Sequence, residues 1–131
     1  MSLTQKIKKC KDKRECFTTI GNYLEEIMSE ELTKYSRLTS GPLYLAILLA
    51  TSQFINNHEE DSYKRLVEYA IEKYKSCVNE RVEEIVGKLR GMVEEISKSC
   101  EYIEKLSGES GFDEDLARAA RRMTEKDEYV S

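Results

Sequence analysis

The stretch Val78–Leu106, VNERVEEIVGKLRGMVEEISKSCEYIEKL, decides the fold. Alternating steps of four and three residues form a heptad repeat, which is typical of helices that pack along a common seam. A third apolar position in each heptad widens this seam and indicates a helix that faces the core of a bundle. The seam positions are Val78, Val82, Ile85, Leu89, Met92, Ile96, Ser99, Ile103 and Leu106, and the additional apolar positions are Val86, Val93 and Cys100.

Upstream, the same pattern continues through Tyr63 and Val67, so one long helix is predicted over Ser62–Leu106. Such a helix would be about 67 Å long, whereas a compact domain of this chain length is roughly 30 Å across. We therefore expect the segment either to break or to project from the body, which would make the protein elongated. A run of four-residue steps from Ala70 to Val82 is where a supercoil would unwind.

Three further helices are predicted. The first covers Leu3–Leu38, with a break or bend between residues 12 and 21, because the segment Thr18–Gly21 contains poor helix formers. After a Thr-Ser-Gly-Pro turn, the second covers Pro42–Asn56 and is apolar nearly all round, which predicts burial on every side. A linker over 107–111 precedes a short helix over Asp113–Lys126. The sequence thus predicts a single all-α domain over 1–131, an elongated up-down bundle of about four helices with one very long helix.

The composition excludes several classes of protein. The 131-residue chain has one histidine, which excludes a metal site built on two or more histidines. It also has too few prolines and glycines for the turns of a β-sandwich. Its longest apolar run, Leu43–Ala50 with a loose extension to Ile55, is shorter than the roughly 20 residues that a membrane span needs. Catalytic motifs, a phosphate-binding loop and Glu-x-x-His pairs are missing from the sequence, so we expect neither an enzyme nor a cofactor.

The formal net charge of −4 is unevenly distributed along the chain. The first fifteen residues carry six bases against two acids, whereas the rest carries fifteen bases against twenty-three acids. Residues 1–14 are therefore interpreted as a basic N-terminal arm that binds nucleic acid, anionic lipid or the acidic surface of a neighbouring subunit, with plain solvation as the alternative. The candidate anion-binding residues are Lys6, Lys8, Lys9, Lys11, Lys13 and Arg14.

The four cysteines form no Cys-x-x-Cys pair, so a zinc site is not expected. Cys16 and Cys77 lie at similar distances from the starts of the first and third predicted helices, which run parallel in an up-down-up arrangement. One interpretation is a disulfide between them, and the other is burial of the thiols as small apolar side chains.

Several residues on the helices are candidates for contact with other subunits. Gly87 and Gly91 form a Gly-x-x-x-Gly pair on the outer face of the long helix, where three interpretations stay open: a hinge, a second contact face, or a tolerated loss of helix stability. Tyr69, Tyr102 and Tyr129 fall off the apolar stripes, and tyrosine is enriched at protein interfaces. The residues predicted to contact a neighbour are Val86, Gly87, Gly91, Met92, Val93, Ile96, Ile103 and Leu106.

In its small size, its Lys-, Glu-, Ile- and Tyr-rich composition and its long-helix pattern, the chain resembles the structural virion proteins of hyperthermophilic archaeal viruses. The resemblance implies a non-enzymatic component of a viral particle, made in the cytoplasm of an archaeal host and located in the virion. We therefore expect a structural protein that self-associates through its helices and contacts other structural proteins. A nucleic-acid-binding accessory protein that uses the basic N-terminal arm is the alternative.

Overall fold

The computed structural model describes residues 2–34, 40–78 and 82–109, which fold into six helices. The prediction of an all-α protein is confirmed, since the described ranges contain no strand and only one isolated backbone bridge, between Asp12 and Ser107. The helix predicted over Asp113–Lys126 and residues 35–38 of the first predicted helix lie outside the described residues. The helices are α1 Leu3–Ile7, α2 Lys13–Lys34, α3 Ser40–Asn57, α4 Glu60–Cys77, α5 Glu83–Lys98 and α6 Cys100–Glu104.

Helices α3 and α4 form the most extensive helix pair, and they are antiparallel because only His58 and Glu59 separate them. In their interface, the Tyr63 hydroxyl lies 3.0 Å from the Thr51 hydroxyl, and the Tyr63 and Phe54 rings stack with centroids 4.9 Å apart. Burial raises the pKa of Tyr63 well above its ordinary value, so its hydroxyl stays protonated. Tyr63 can therefore donate to Thr51, while Thr51 donates to the backbone carbonyl of Ile47 at 2.7 Å.

Helix α5 packs back against α4, α2 and α1. The Arg90 guanidinium donates to both carboxylate oxygens of Glu68, at 2.7 and 3.1 Å, and the Lys64 ammonium lies 3.5 Å from the Glu94 carboxylate. These pairs show that α4 and α5 are antiparallel. The predicted core face of α5 is confirmed, and its buried members are Ile85, Val86, Leu89, Met92, Val93 and Ile96, each at most 5% exposed.

The prediction of one continuous helix over Ser62–Leu106 is wrong. Helix α4 ends at Cys77, Val78 has extended backbone dihedrals (φ −118°, ψ 128°), and α5 begins at Glu83. The break falls within the run of four-residue steps. A straight helix would carry the apolar face of α5 into solvent, whereas the chain reversal buries that face against the other helices. The expectation of an elongated protein depended on this long helix, and the structure does not support it.

The first predicted helix also breaks, at an earlier position than expected. Helix α2 starts directly after Asp12, whose side chain accepts a hydrogen bond from the Glu15 backbone amide at 2.8 Å. The sequence Asp-x-x-Glu at this point is an N-cap signature that would have located the start. Gly21 stays inside α2, where a Cβ would lie 3.6 Å from Leu48 of α3, so packing on α3 outweighs the weak helix propensity of the segment.

The N-terminal residues are folded onto the bundle and do not form a free arm. Leu3 and Ile7 of α1 are completely buried. The Thr4 amide and hydroxyl donate to the Glu95 carboxylate of α5, at 3.3 and 3.1 Å. The segment after α1 is held by Tyr102 of α6, whose hydroxyl lies 2.7 and 2.8 Å from two backbone carbonyl oxygens of this segment. Both ends of the described chain are thus attached to the same end of the bundle.

We expect Ile96→Ala and Ile103→Ala each to lower the free energy of unfolding by about 2–5 kcal/mol, because each removes completely buried side-chain atoms and leaves a cavity. Urea denaturation followed by circular dichroism measures the change. Lys98→Ala, at an exposed position of α5, is the control and should alter stability by less than about 0.5 kcal/mol. Losses no larger than that of the control would contradict the burial of these two residues.

Candidate interaction surface

Within the described residues, helix α3 is buried over most of its circumference but not over all of it, so the prediction of burial on every side is wrong. Its inner face includes Ile47, Phe54 and Ile55, which are at most 1% exposed. On its outer face Ala46 is exposed and Leu49 is half-buried. Among the described helices, α2, α4 and α6 contact α3 and leave the strip with Ala46 and Leu49 accessible, so a helix that is apolar nearly all round presents part of its apolar surface to solvent.

The neighbouring helix α4 extends this apolar surface. Leu66 is 45% exposed and Tyr69 is 71% exposed, the highest values among the large apolar side chains of the described residues. They lie one turn apart, on the side of α4 away from its buried residues Tyr63, Val67 and Ile71. We call the four residues Ala46, Leu49, Leu66 and Tyr69 the α3–α4 outer surface.

The register between the two helices places these four residues side by side. Tyr63 contacts Thr51 and Phe54, and α3 and α4 run in opposite directions. The turn of α3 that precedes Thr51 is therefore level with the turn of α4 that follows Tyr63. This places Ala46 and Leu49 next to the turn that carries Leu66 and Tyr69, so the α3–α4 outer surface is contiguous.

Charged side chains of both signs flank Tyr69 on α4, since Arg65 lies four residues before it and Glu72 three residues after it. On the side of α4 that faces α5, Glu68 accepts hydrogen bonds from Arg90, which hold the pKa of its carboxyl below the ordinary value. Glu72 lies 3.5 Å from Lys75 and 3.6 Å from Arg90, yet its side chain remains 61% exposed. An apolar centre with a polar, solvent-accessible rim is the usual composition of a protein–protein interface.

Sequence reasoning missed Leu66 as an exposed residue and identified Tyr69 only through its position off the apolar stripe. That position is the signal that could have found both. Along α4 the buried stripe follows Tyr63, Val67 and Ile71, whereas Leu66 lies on the flank of the helix and Tyr69 lies opposite the stripe. A large apolar residue outside the stripe of an amphipathic helix therefore marks a second apolar face.

The apolar residues predicted to contact a neighbouring subunit lie mainly in the core of the chain itself. This placement follows from the break at Val78, because the reversal lets α1, α2 and α4 cover the face of α5 that a projecting helix would have offered to a partner. In the folded chain their apolar surface is already covered. Val86, Met92, Val93, Ile96 and Ile103 are at most 5% exposed, and Leu106 is half-buried.

The two glycines of the predicted contact set are exposed on the outer face of α5, where the heptad register places them. A Cβ added to Gly87 or Gly91 would meet nothing within 4 Å. Gly91 also borders an open groove of about 610 Å³ between α2 and α5, whose other lining residues include Tyr23, Ile27 and Met92. Contact with another subunit at these glycines stays a prediction.

Four of the six candidate anion-binding side chains are exposed, and two are turned toward the protein. Lys6 is half-buried with its ammonium 5.7 Å from the centroid of the Tyr23 ring, a cation–π distance. Lys13 is only 9% exposed at the start of α2. The exposed cations, which surround the turn between α1 and α2, are Lys8, Lys9, Lys11 and Arg14.

Cys16 and Cys77 lie at opposite ends of the bundle. Cys16 is in the first turn of α2, close enough to Tyr63 near the start of α4 to interact with it electrostatically, whereas Cys77 is the last residue of α4. The helix from Tyr63 to Cys77 spans about 21 Å, and a disulfide requires Cα atoms within roughly 7 Å. The prediction of matching heights is wrong because the helix that carries Cys16 begins at Lys13 and not at Leu3.

The histidine ends α3 and contacts α6. His58 has a left-handed backbone conformation (φ 62°), and its amide donates to the Phe54 carbonyl at 2.7 Å. Its imidazole Nδ1 lies 3.8 Å from the Glu104 carboxylate. His58 is therefore a helix-terminating residue. Within the described ranges, no group of three or more potential metal ligands comes together.

Comparison with known proteins gives no relative: no family model, curated protein sequence or solved structure matches the chain. Among the helices that the structure describes, none has the length and apolar character to cross a membrane.

We expect the thiols to react with iodoacetamide at pH 8 in an order set by burial, with Cys77 modified first and Cys16 last. Cys77 is exposed, whereas burial and the neighbouring Cys10 thiol raise the pKa of Cys16 to about 12. This shift lowers the thiolate fraction of Cys16 at pH 8 by roughly a thousandfold. Peptide mapping by mass spectrometry measures each site, and a urea-unfolded sample is the control, in which the difference should vanish. Equal rates in the folded protein would contradict the burial of Cys16.

Proposed function

We propose that the protein is a non-enzymatic structural protein that self-associates through the α3–α4 outer surface. The observation that carries this proposal is the exposure of Leu66 and Tyr69 next to the uncovered side of α3. Leu66 and Tyr69 are the exposed large apolar side chains of the described residues, so this surface is a place where apolar area can still be removed from water. In this role the chain would be a subunit of a larger particle, such as a virion, and would contact further structural proteins.

Burial of the α3–α4 outer surface in a contact would stabilise an oligomer. Fully burying a leucine side chain contributes about 1.5–3 kcal/mol relative to leaving it exposed, and a tyrosine adds both a large apolar ring and a hydroxyl that can keep a water or a polar partner at the rim. Tyrosine is also among the residues that contribute most to protein–protein binding. The four side chains of the α3–α4 outer surface therefore supply a compact apolar centre for an interface.

We expect Leu66→Asp and Tyr69→Asp each to shift the protein from an oligomer to a monomer, because a carboxylate in a desolvated contact is strongly unfavourable. Size-exclusion chromatography with light scattering, over a range of protein concentrations, measures the mass. Asn22→Asp is the matched control, since it adds the same charge at an exposed position of α2.

Circular dichroism melts of all three variants test whether the fold survives, and it should, because both positions on α4 are exposed. A wild-type protein that is monomeric at every concentration would overturn the proposal. So would an oligomer that persists in both variants.

A second candidate function, nucleic-acid binding, is supported by the exposed cations of the turn between α1 and α2. Lys8 and Lys11 lie in this turn, and Arg14 lies in the first turn of α2. A cluster of exposed cations attracts phosphate groups, and binding of this kind weakens steeply as the salt concentration rises.

We expect Lys8→Ala combined with Lys11→Ala to weaken binding to a DNA duplex and to reduce the slope of log K against log salt by about 2, one for each lost phosphate contact. Fluorescence anisotropy at several salt concentrations measures both quantities. Lys88→Ala, on the exposed face of α5, is the control and should leave the slope unchanged. Unchanged binding after the double substitution would reject this function.

A further inference from the structure

We infer that the partner of the α3–α4 outer surface is a second copy of this chain, bound with the two α4 helices antiparallel around a two-fold axis near Tyr69. This inference rests on the proposed self-association and adds the geometry of the contact. It is drawn from the order of the exposed residues on α4, which is self-complementary in one orientation of the two helices.

The outer face of α4 has a central line and two flanks. Ser62, Tyr69 and Ser76 follow each other at heptad spacing and lie along the central line, opposite the buried face. The two serines leave room for close approach on either side of the large Tyr69 ring. An axis that passes near Tyr69 therefore sets the two Tyr69 rings against each other at the middle of the contact.

The first flank, on the side of α4 toward α5, carries opposite charges at similar distances before and after Tyr69. Arg65 lies four residues before Tyr69 and Glu72 lies three residues after it. In an antiparallel helix pair with two-fold symmetry, each flank meets the same flank of the other helix. Arg65 then faces Glu72 of the partner subunit, and Glu72 faces Arg65 of the partner subunit. Both side chains are exposed, and Arg65 forms no ion pair with another described residue.

The second flank, on the side of α4 toward α3, pairs an apolar side chain with a long aliphatic one. Leu66 and Lys73 are seven residues apart on this flank. Under the same symmetry Leu66 packs against the methylene groups of Lys73 of the partner subunit, while the ammonium stays at the rim in water. Ala46 and Leu49 continue the apolar contact from α3.

The charges at the ends of α4 favour the antiparallel orientation over the parallel one. The helix starts with the acidic sequence Glu59-Glu60-Asp61, and its second half carries Lys73 and Lys75. A parallel pair would bring the acidic starts of the two helices together. The antiparallel pair places each acidic start near the basic end of the other helix, which also agrees with the direction of the helix dipoles.

Charge reversal tests this geometry. We expect Arg65→Glu alone and Glu72→Arg alone each to weaken dimerisation by about tenfold, because each turns two attractive pairs into two repulsive ones. The double variant Arg65→Glu/Glu72→Arg should restore the dissociation constant to within about threefold of the wild-type value, because both pairs are re-formed with reversed signs. Sedimentation equilibrium at low ionic strength measures the constants, since salt screens exposed charges.

Two controls separate this pairing from other effects. Lys88→Glu reverses an exposed charge on α5 and should leave dimerisation unchanged. Thermal melts show whether Glu72→Arg acts through its contacts to Lys75 and Arg90 within the chain, which Arg65→Glu does not touch.

The possible results distinguish this geometry from the proposed function itself. Recovery in the double variant supports the antiparallel two-fold contact. If Leu66→Asp and Tyr69→Asp dissociate the oligomer but the double charge reversal does not recover, self-association through this surface stands and the antiparallel register is wrong. If the wild-type chain is monomeric at every concentration, both the proposed self-association and the antiparallel geometry are wrong.

Discussion

The burial of the apolar face of α5 is the constraint on which the rest of the structure depends. Three positions of each heptad between Ile85 and Ile96 are apolar, and a continuous helix would leave them in water. The chain therefore reverses after Cys77 and packs α5 against α4, α2 and α1. Arg90, bound to Glu68, and Glu94, near Lys64, border this packing at the surface. Exposed ion pairs of this kind contribute little energy, so hydrophobic burial dominates.

With α5 packed on one side of the bundle, the described helices do not cover every apolar residue of α3. Its inner face, with Ile47 and Phe54, is fully enclosed, whereas on its outer face the described residues leave Ala46 exposed. Leu66 and Tyr69 of α4 lie beside that outer face and make the α3–α4 outer surface contiguous. In the described part of the chain the large exposed apolar side chains are Leu66 and Tyr69, which is why we place the proposed interface there rather than on α5.

The positions of the candidate residues show how far sequence reasoning reaches. It located Gly87 and Gly91 on an exposed face, because a heptad register assigns faces directly. It misplaced the Cys16–Cys77 pair, because the relative heights of two residues depend on where each helix starts. Since α2 starts after Asp12 and not at Leu3, Cys16 lies about ten residues, or roughly 15 Å, closer to the start of its helix than predicted. It assigned Ile96 and Ile103 to a partner because a straight helix offers them no cover within the chain.

The sequence by itself determined the helical class and the apolar face of α5, because the periodicity of apolar residues is a local property that the 3.6-residue turn converts into a face. Only the tertiary structure decided where the chain reverses, which side of α3 stays uncovered, and which of the basic residues face solvent. Those outcomes depend on how many other helices are present to cover each face and on the angle at which each helix enters the bundle. Val78 shows the difference: it continues the heptad pattern in sequence, yet its extended backbone is where α4 ends and the chain leaves the helix.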